Sequence, residues 1–181
     1  MRAFIAIETP AIIRDKVSKI IEAGKAKRMS IKWVAYENLH ITLKFLGEIS
    51  DAAKDEIIPA IAETVASVPQ FMVQVSGIGC FPGPRQPRVL WAGVIQGGDS
   101  MIAIAENLDR NMARFGCKIE DKKFHPHLTF GRVKTFCPVD DILKQELHTD
   151  AFMVDRITLF KSTLRPEGPK YDPVRTFTLA P

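Results

Sequence analysis

The sequence predicts an α+β fold of two similar lobes related by a pseudo-two-fold axis, and three observations lead there. Hydrophobic residues recur at strand spacing and at helix spacing in the order of a β-α-β-β-α-β unit. That order occurs twice. The second copy follows the first at a nearly constant offset of 87 residues, and two polar residue types recur at that same offset.

Taken in order, RAFIAIE predicts a strand at 2–8, followed by a helix over 11–26 with Ile12, Ile13, Val17, Ile20 and Ile21 on one face. Short extended pieces come near 31–34 and 39–46. A second helix is expected at 51–66, with Ser50 as its N-cap, Asp51 in the electropositive first turn, and Ile57, Ile58, Ile61 and Val65 facing inward. A strand at 71–79 closes the first half, and the Pro/Gly-rich FPGPRQP at 81–87 joins it to the second. The second half predicts strand 88–95, helix 100–115, strand 124–133, helix 139–147 and strand 152–161. A turn around Pro166 to Pro169 then precedes a last strand near 174–179. One domain over 1–181 is expected, its pseudo-repeat halves spanning about 1–80 and 88–181.

The offset is specific. It carries His40 to His127, Thr42 to Thr129, Phe4 to Trp91 and Ile7 to Val94, and lays helix 11–26 over 98–113. Register drifts only beyond the second histidine segment.

Composition narrows the function classes. With 46% hydrophobic and 25% charged residues the chain reads as globular, not disordered or fibrous. The opening MRAFIAIETP is too briefly apolar for a signal peptide or a membrane span, and no membrane association is expected. Cys80, Cys117 and Cys137 are odd in number and lack CxxC spacing, which argues against a disulfide framework or a structural zinc and suits a reducing cytoplasm. A net charge of +4 fits an acidic substrate without the dense cationic stripe of a duplex-wrapping protein.

In HITLKF, strand alternation puts His40, Thr42 and Lys44 on one face and Ile41, Leu43 and Phe45 on the core side. In HPHLTFG it groups His127, Thr129 and Gly131. If the halves oppose these faces, one cleft holds two imidazoles and two hydroxyls. In-line displacement at phosphorus needs the entering oxygen deprotonated and the leaving oxygen protonated on opposite sides. Histidine serves either purpose near neutrality, and threonine hydroxyls donate to the non-bridging oxygens. Both proton transfers then have agents, so no metal or cofactor is expected, and the rate should peak near neutral pH.

HITL at 40–43 and HLTF at 127–130, in the contexts NLHITLKFLGE and FHPHLTFGRV with FIAIE at the amino terminus, resemble the paired His-x-Thr-x motifs of the 2H phosphoesterase superfamily. The likeness is to its RNA 2′,3′-cyclic phosphodiesterase branch, once described as 2′-5′ RNA ligases. It implies two lobes of antiparallel sheet flanked by outer helices, with the motifs facing across a central groove. It also implies hydrolysis of a 2′,3′-cyclic phosphate to a 2′-phosphate, with His127 as base towards water and His40 as acid towards O3′. RNA ends, including those of tRNA halves, are the partners it implies, and no obligate protein partner is evident. Ligation of such ends, or their binding without turnover, would use the same residues.

Other residues leave alternatives. Arg132 is a candidate phosphate partner, but strict alternation turns it away from His127 unless a bulge intervenes. Lys44 has the parity to assist RNA binding. His125 shares a face with His127, so a metal site with Asp121 or Glu120 is the rival reading, while Pro126 places His125 at a strand rim. His148 reads as solvated. Trp33, Phe81 and Trp91 are candidates to stack a base, with Trp91 expected in the core.

Overall fold

RAFIAIE forms β1 (Arg2–Glu8) in a computed structural model that describes residues 1–181. Its alternation buries Ala3, Ile5 and Ile7 in the main core, while Phe4 and Ala6 lie on the opposite face beside Phe160. There follow α1 (Ala11–Ala26), β2 (Ile31–Trp33), β3 (His40–Glu48), α2 (Asp51–Val65) and β4 (Phe71–Phe81). The second half gives β5 (Val89–Gln96), α3 (Gly98–Met112), β6 (His127–Val133), α4 (Asp140–Leu143), β7 (Phe152–Val154), β8 (Arg156–Arg165) and β9 (Gly168–Thr178).

Every strand pairing is antiparallel, and two sheets result, with orders β3-β1-β8-β9 and β2-β6-β5-β4-β7. Applied to these elements, the offset superposes β1 on β5, α1 on α3, β3 on β6 and β4 on β8. The last pair is exchanged between lobes: β8, from the second half, pairs with β1, and β4, from the first, pairs with β5. Each lobe therefore draws strands from both halves of the sequence. One cluster of 37 buried residues runs through both sheets and the helices.

The helices close the outside. Ser50 caps α2 by accepting the Ala53 N–H at 3.1 Å, and Ile57 and Ile61, both fully buried, each stabilise the packing by roughly 2 kcal/mol. On α1 the inward face is Ile13, Val17, Ile20, Ile21 and Gly24, whereas Ile12 is exposed. Gly24 is where Trp33 packs: a Cβ there would sit 2.3 Å from the indole.

Four expected elements differ, and the first is the strand expected at 152–161, which is two strands of different sheets, β7 pairing with β4 and β8 with β1. The helix expected at 139–147 stops at Leu143, because the chain turns to pair with β4: the Leu147 carbonyl accepts the Gly77 N–H, and Thr149 bonds Val75 through both backbone and side chain. The strand expected from 124 begins at His127, since Pro126 has no N–H for a ladder. The last strand is longer than expected. Pro169 and Pro173 argue against a strand in general, but β9 is an edge strand, where proline is tolerated.

Candidate active site

A bulge in each motif strand sets what faces the groove. Between β1 and β3, Ile5 pairs with Lys44 and Ala6 with Thr42, which leaves Leu43 unpaired; between β5 and β6, Leu90 pairs with Gly131 and Trp91 with Thr129, which leaves Phe130 unpaired. The two bulges are themselves 87 residues apart. Each turns two successive residues inward and reverses the alternation beyond. On β6 this supplies the bulge that Arg132 needs, and its charge acts on both His127 and Tyr171. On β3 it removes Lys44 from the groove, contrary to expectation, and brings round Phe45, whose ring lies 6.1 Å from that of Phe4.

Lys44 instead crosses the core as a tie. Its buried ammonium bonds Asp109 at 2.5 Å and the Lys118 carbonyl, while Asp109 also accepts the Glu120 N–H. This joins β3 to α3 and to the loop leading into β6.

Both imidazoles are held by one device. His40 Nδ1 donates to the Asn38 carbonyl at 2.5 Å and His127 Nδ1 to the His125 carbonyl at 2.6 Å. In the neutral ring this fixes the proton on Nδ1 and leaves Nε2 as the basic nitrogen. Thr42 Oγ1 lies 2.9 Å from His40 Nε2 and donates to it in that tautomer. Thr129 is half-buried on the His127 face, opposite Trp91.

Aromatic rings form the walls. His40 lies 5.0 Å from Phe4 and meets Tyr171 edge-on at 5.3 Å. His127 meets Phe81 edge-on at 5.2 Å, with Trp91 and His125 at 6.4 and 6.0 Å. β3 and β6 run against each other where the sheets meet, and the Arg132 charge opposes protonation of both His127 and Tyr171. Burial lowers the pKa of His40 to about 4, its bond to Asn38 opposing and Arg14 adding to the shift. Burial likewise lowers that of His127, reinforced by His125 and Arg132 and opposed by the His125 carbonyl.

The other candidates separate. Trp91 is not a core residue: it lies on the groove face, where Gly79 opposite leaves room for its ring, and its buried indole N–H has no partner. Phe81 is on the same face. Trp33 belongs to the core, stacked parallel to Phe130 against α1. His125 packs among Phe81, Trp91 and His127, while Asp121 pairs with Lys118, and Glu120 with Lys44, so neither joins it in a ligand set. His148 bridges Gln74 and Ser76 away from the motif strands. Tyr171 is the groove residue that sequence reasoning missed; the only signal was an aromatic between two prolines.

Two antiparallel sheets, each presenting a His-x-Thr strand, define the architecture of the two-histidine phosphoesterases. Residues 7–91 and 95–171 match the family described as LigT like Phosphoesterase, and the chain belongs to that family. It is 35% identical to an RNA 2′,3′-cyclic phosphodiesterase of Thermotoga maritima, over 94% of this chain and 91% of the relative. Among solved structures, TT0787 of Thermus thermophilus superposes with a TM-score of 0.83 at 26% identity, covering 99% of this chain and 98% of that one. The E. coli LigT complex with 3′-AMP superposes with a TM-score of 0.79 at 28% identity and the same coverage.

Proposed function

We propose that the chain hydrolyses the 2′,3′-cyclic phosphate at an RNA end, leaving a 2′-phosphate and a free 3′-hydroxyl. The observation that carries this is the matched clamp: two imidazoles, each tied at Nδ1 to a backbone carbonyl, which turns Nε2 of each, that of His40 hydrogen-bonded to Thr42, to proton transfer. The family and its similarly named relatives supply the substrate class.

His127, as base, takes a proton from the water that attacks phosphorus; the bond to O3′ breaks, and His40, as acid, protonates that oxygen. The near-symmetric clamps do not choose between the two, and the assignment follows the family resemblance. Thr42, Thr129 and Arg132 receive the non-bridging oxygens. Burial keeps His40 neutral in the free groove, so its proton enters with the substrate, whose negative charge favours the imidazolium. Both transfers are made by side chains, hence the proposal of a metal-independent reaction. No helix is long and apolar enough to cross a membrane, and three free thiols suit the proposed cytoplasmic location.

The test is incubation of EDTA-treated protein with a 2′,3′-cyclic-phosphate oligoribonucleotide, followed by identification of the product end. A 2′-phosphate at undiminished rate is expected. Binding without conversion, or activity lost in chelator and restored by zinc or manganese, would overturn the proposal.

A further inference from the structure

The charge of this chain is segregated in a way that its modest net value hides. No Asp or Glu occurs between Glu22 and Glu37, between Glu63 and Asp99, or between Asp121 and Asp140. These stretches hold ten of the 25 Lys and Arg residues, leaving 15 cations against 21 carboxylates elsewhere, so outside them the chain is acidic. Each stretch contributes to a contiguous run of the second sheet, because β2 pairs with β6 and β6 with β5. Folding therefore brings four of these ten, Lys32, Arg88, Arg132 and Lys134, to one sheet end from three places in the sequence.

The concentration falls beside the groove. Lys32 and Arg132 are directly opposed across β2 and β6, the Val133 N–H donates to the Arg88 carbonyl, and the Lys134 N–H donates to that of Ser30. Lys32, Arg88, Arg132 and Lys134 all lack a carboxylate within ion-pairing distance, whereas Lys27, just upstream, is held by Asp141. Like charges gathered without counter-charges repel one another, so a surface of this kind is matched by an anionic ligand. Beyond Arg132 the ends of β5 and β6 frame an open hollow of about 270 Å³, lined by Gln86, Pro87, Arg88, Val133, Lys134 and Phe136. Phe136, 66% exposed, shares that lining with Arg88 and Lys134. Exposed aromatic rings among cations are how single-stranded nucleic acid is held without sequence preference, the ring stacking a base and the cations tracking the backbone.

We infer that this hollow is a subsite for the body of the RNA, in which Phe136 stacks a base upstream of the terminal phosphate while Arg88 and Lys134 hold flanking phosphates. The inference rests on the proposed cyclic-phosphate chemistry for its orientation and deepens it by placing the nucleotides that precede the terminal phosphate. The strand leaves the groove past Arg132 and follows β6 outward.

The test compares kcat/KM for 2′,3′-cyclic AMP and for a six-nucleotide RNA ending in a 2′,3′-cyclic phosphate, in the wild type, in Arg88→Ala/Lys134→Ala and in Phe136→Ala. The wild type should prefer the hexamer at least about tenfold, as one stacked base is worth. Both variants should lose most of that preference while turning over the cyclic mononucleotide normally, which also shows that they are folded. An unchanged hexamer preference in both would overturn the inference. Should the protein hydrolyse neither substrate, the function proposal fails separately, and binding of the same hexamer still decides on the subsite. The slope of log K against log salt should then fall by about 1.4 in the double variant, for two lost phosphate contacts on a single strand; an unchanged slope would contradict it.

Discussion

His40 and His127 occupy equivalent places on β3 and β6, each beside its own bulge and each clamped at Nδ1, yet their walls are finished differently. Around His40 the groove is closed by Phe4 with Phe160 stacked behind it, and by Tyr171 from the edge strand, with Arg14 the only cation that acts on the ring. Around His127 it opens into Phe81, Trp91 and His125, with Arg132 at hand. The repeat supplies two like imidazoles, which the proposed reaction uses as its two agents of proton transfer; burial lowers the pKa of both, beside unlike walls.

The largest expected effect breaks the pair. His40→Ala or His127→Ala should each lower turnover by about 10²–10⁴-fold, measured on a cyclic-phosphate oligoribonucleotide. A much better leaving group in place of O3′ should rescue His40→Ala and not His127→Ala; equal rescue of both would show that the roles are assigned wrongly.

The second effect contrasts the bulges. Lys44 stands where the other half has Gly131, and it ties the lobes together. Lys44→Met should cost about 3 kcal/mol in urea unfolding, because Asp109 is left largely buried without its partner. Lys44→Met/Asp109→Leu should recover most of that loss. A cost below about 1 kcal/mol for the single variant would mean that the tie is dispensable.

His40 also makes stability depend on acid. Its folded pKa of about 4 lies below the ordinary value of 6.5, so protonation favours the unfolded chain. The His40 contribution is intact above pH 6.5 and is lost as pH falls through about 4, up to about 3 kcal/mol. Unfolding of His40→Gln should lack this component. The smallest expected effects are those of Thr42→Ala and Thr129→Ala, about tenfold or less in kcat/KM, since each removes one hydrogen bond and leaves both proton transfers in place.

The sequence made the repeat legible because it is written in side chains: His40, Thr42, His127 and Thr129 recur at one offset, and hydrophobic period located β1, α1, β3 and α2 almost to the residue. What escaped depends on backbone pairing. Strict alternation misplaced Lys44 and left Arg132 open, because a bulge is a property of two strands and cannot be read from one. Trp91 looked like core because the apolar residues around it did, whereas Gly79, distant in sequence, makes its place on the groove face. Tyr171 was hidden because Pro169 and Pro173 disguise an edge strand, and the exchange of β4 and β8 leaves no mark on periodicity.

If two buried histidines transfer the two protons, as proposed, the pH dependence of kcat/KM tests it most directly because it reports the free groove. Burial depresses both rings, which moves the maximum from the neutrality expected of unperturbed histidines to the acid side of pH 6.5, while kcat, set by the anion-bound state, should peak higher. The wild type should give a bell. Loss of the base in His127→Ala should abolish the fall on the acid side, and loss of the acid in His40→Ala should abolish the fall on the alkaline side. A full bell retained by both variants would contradict the paired-histidine account.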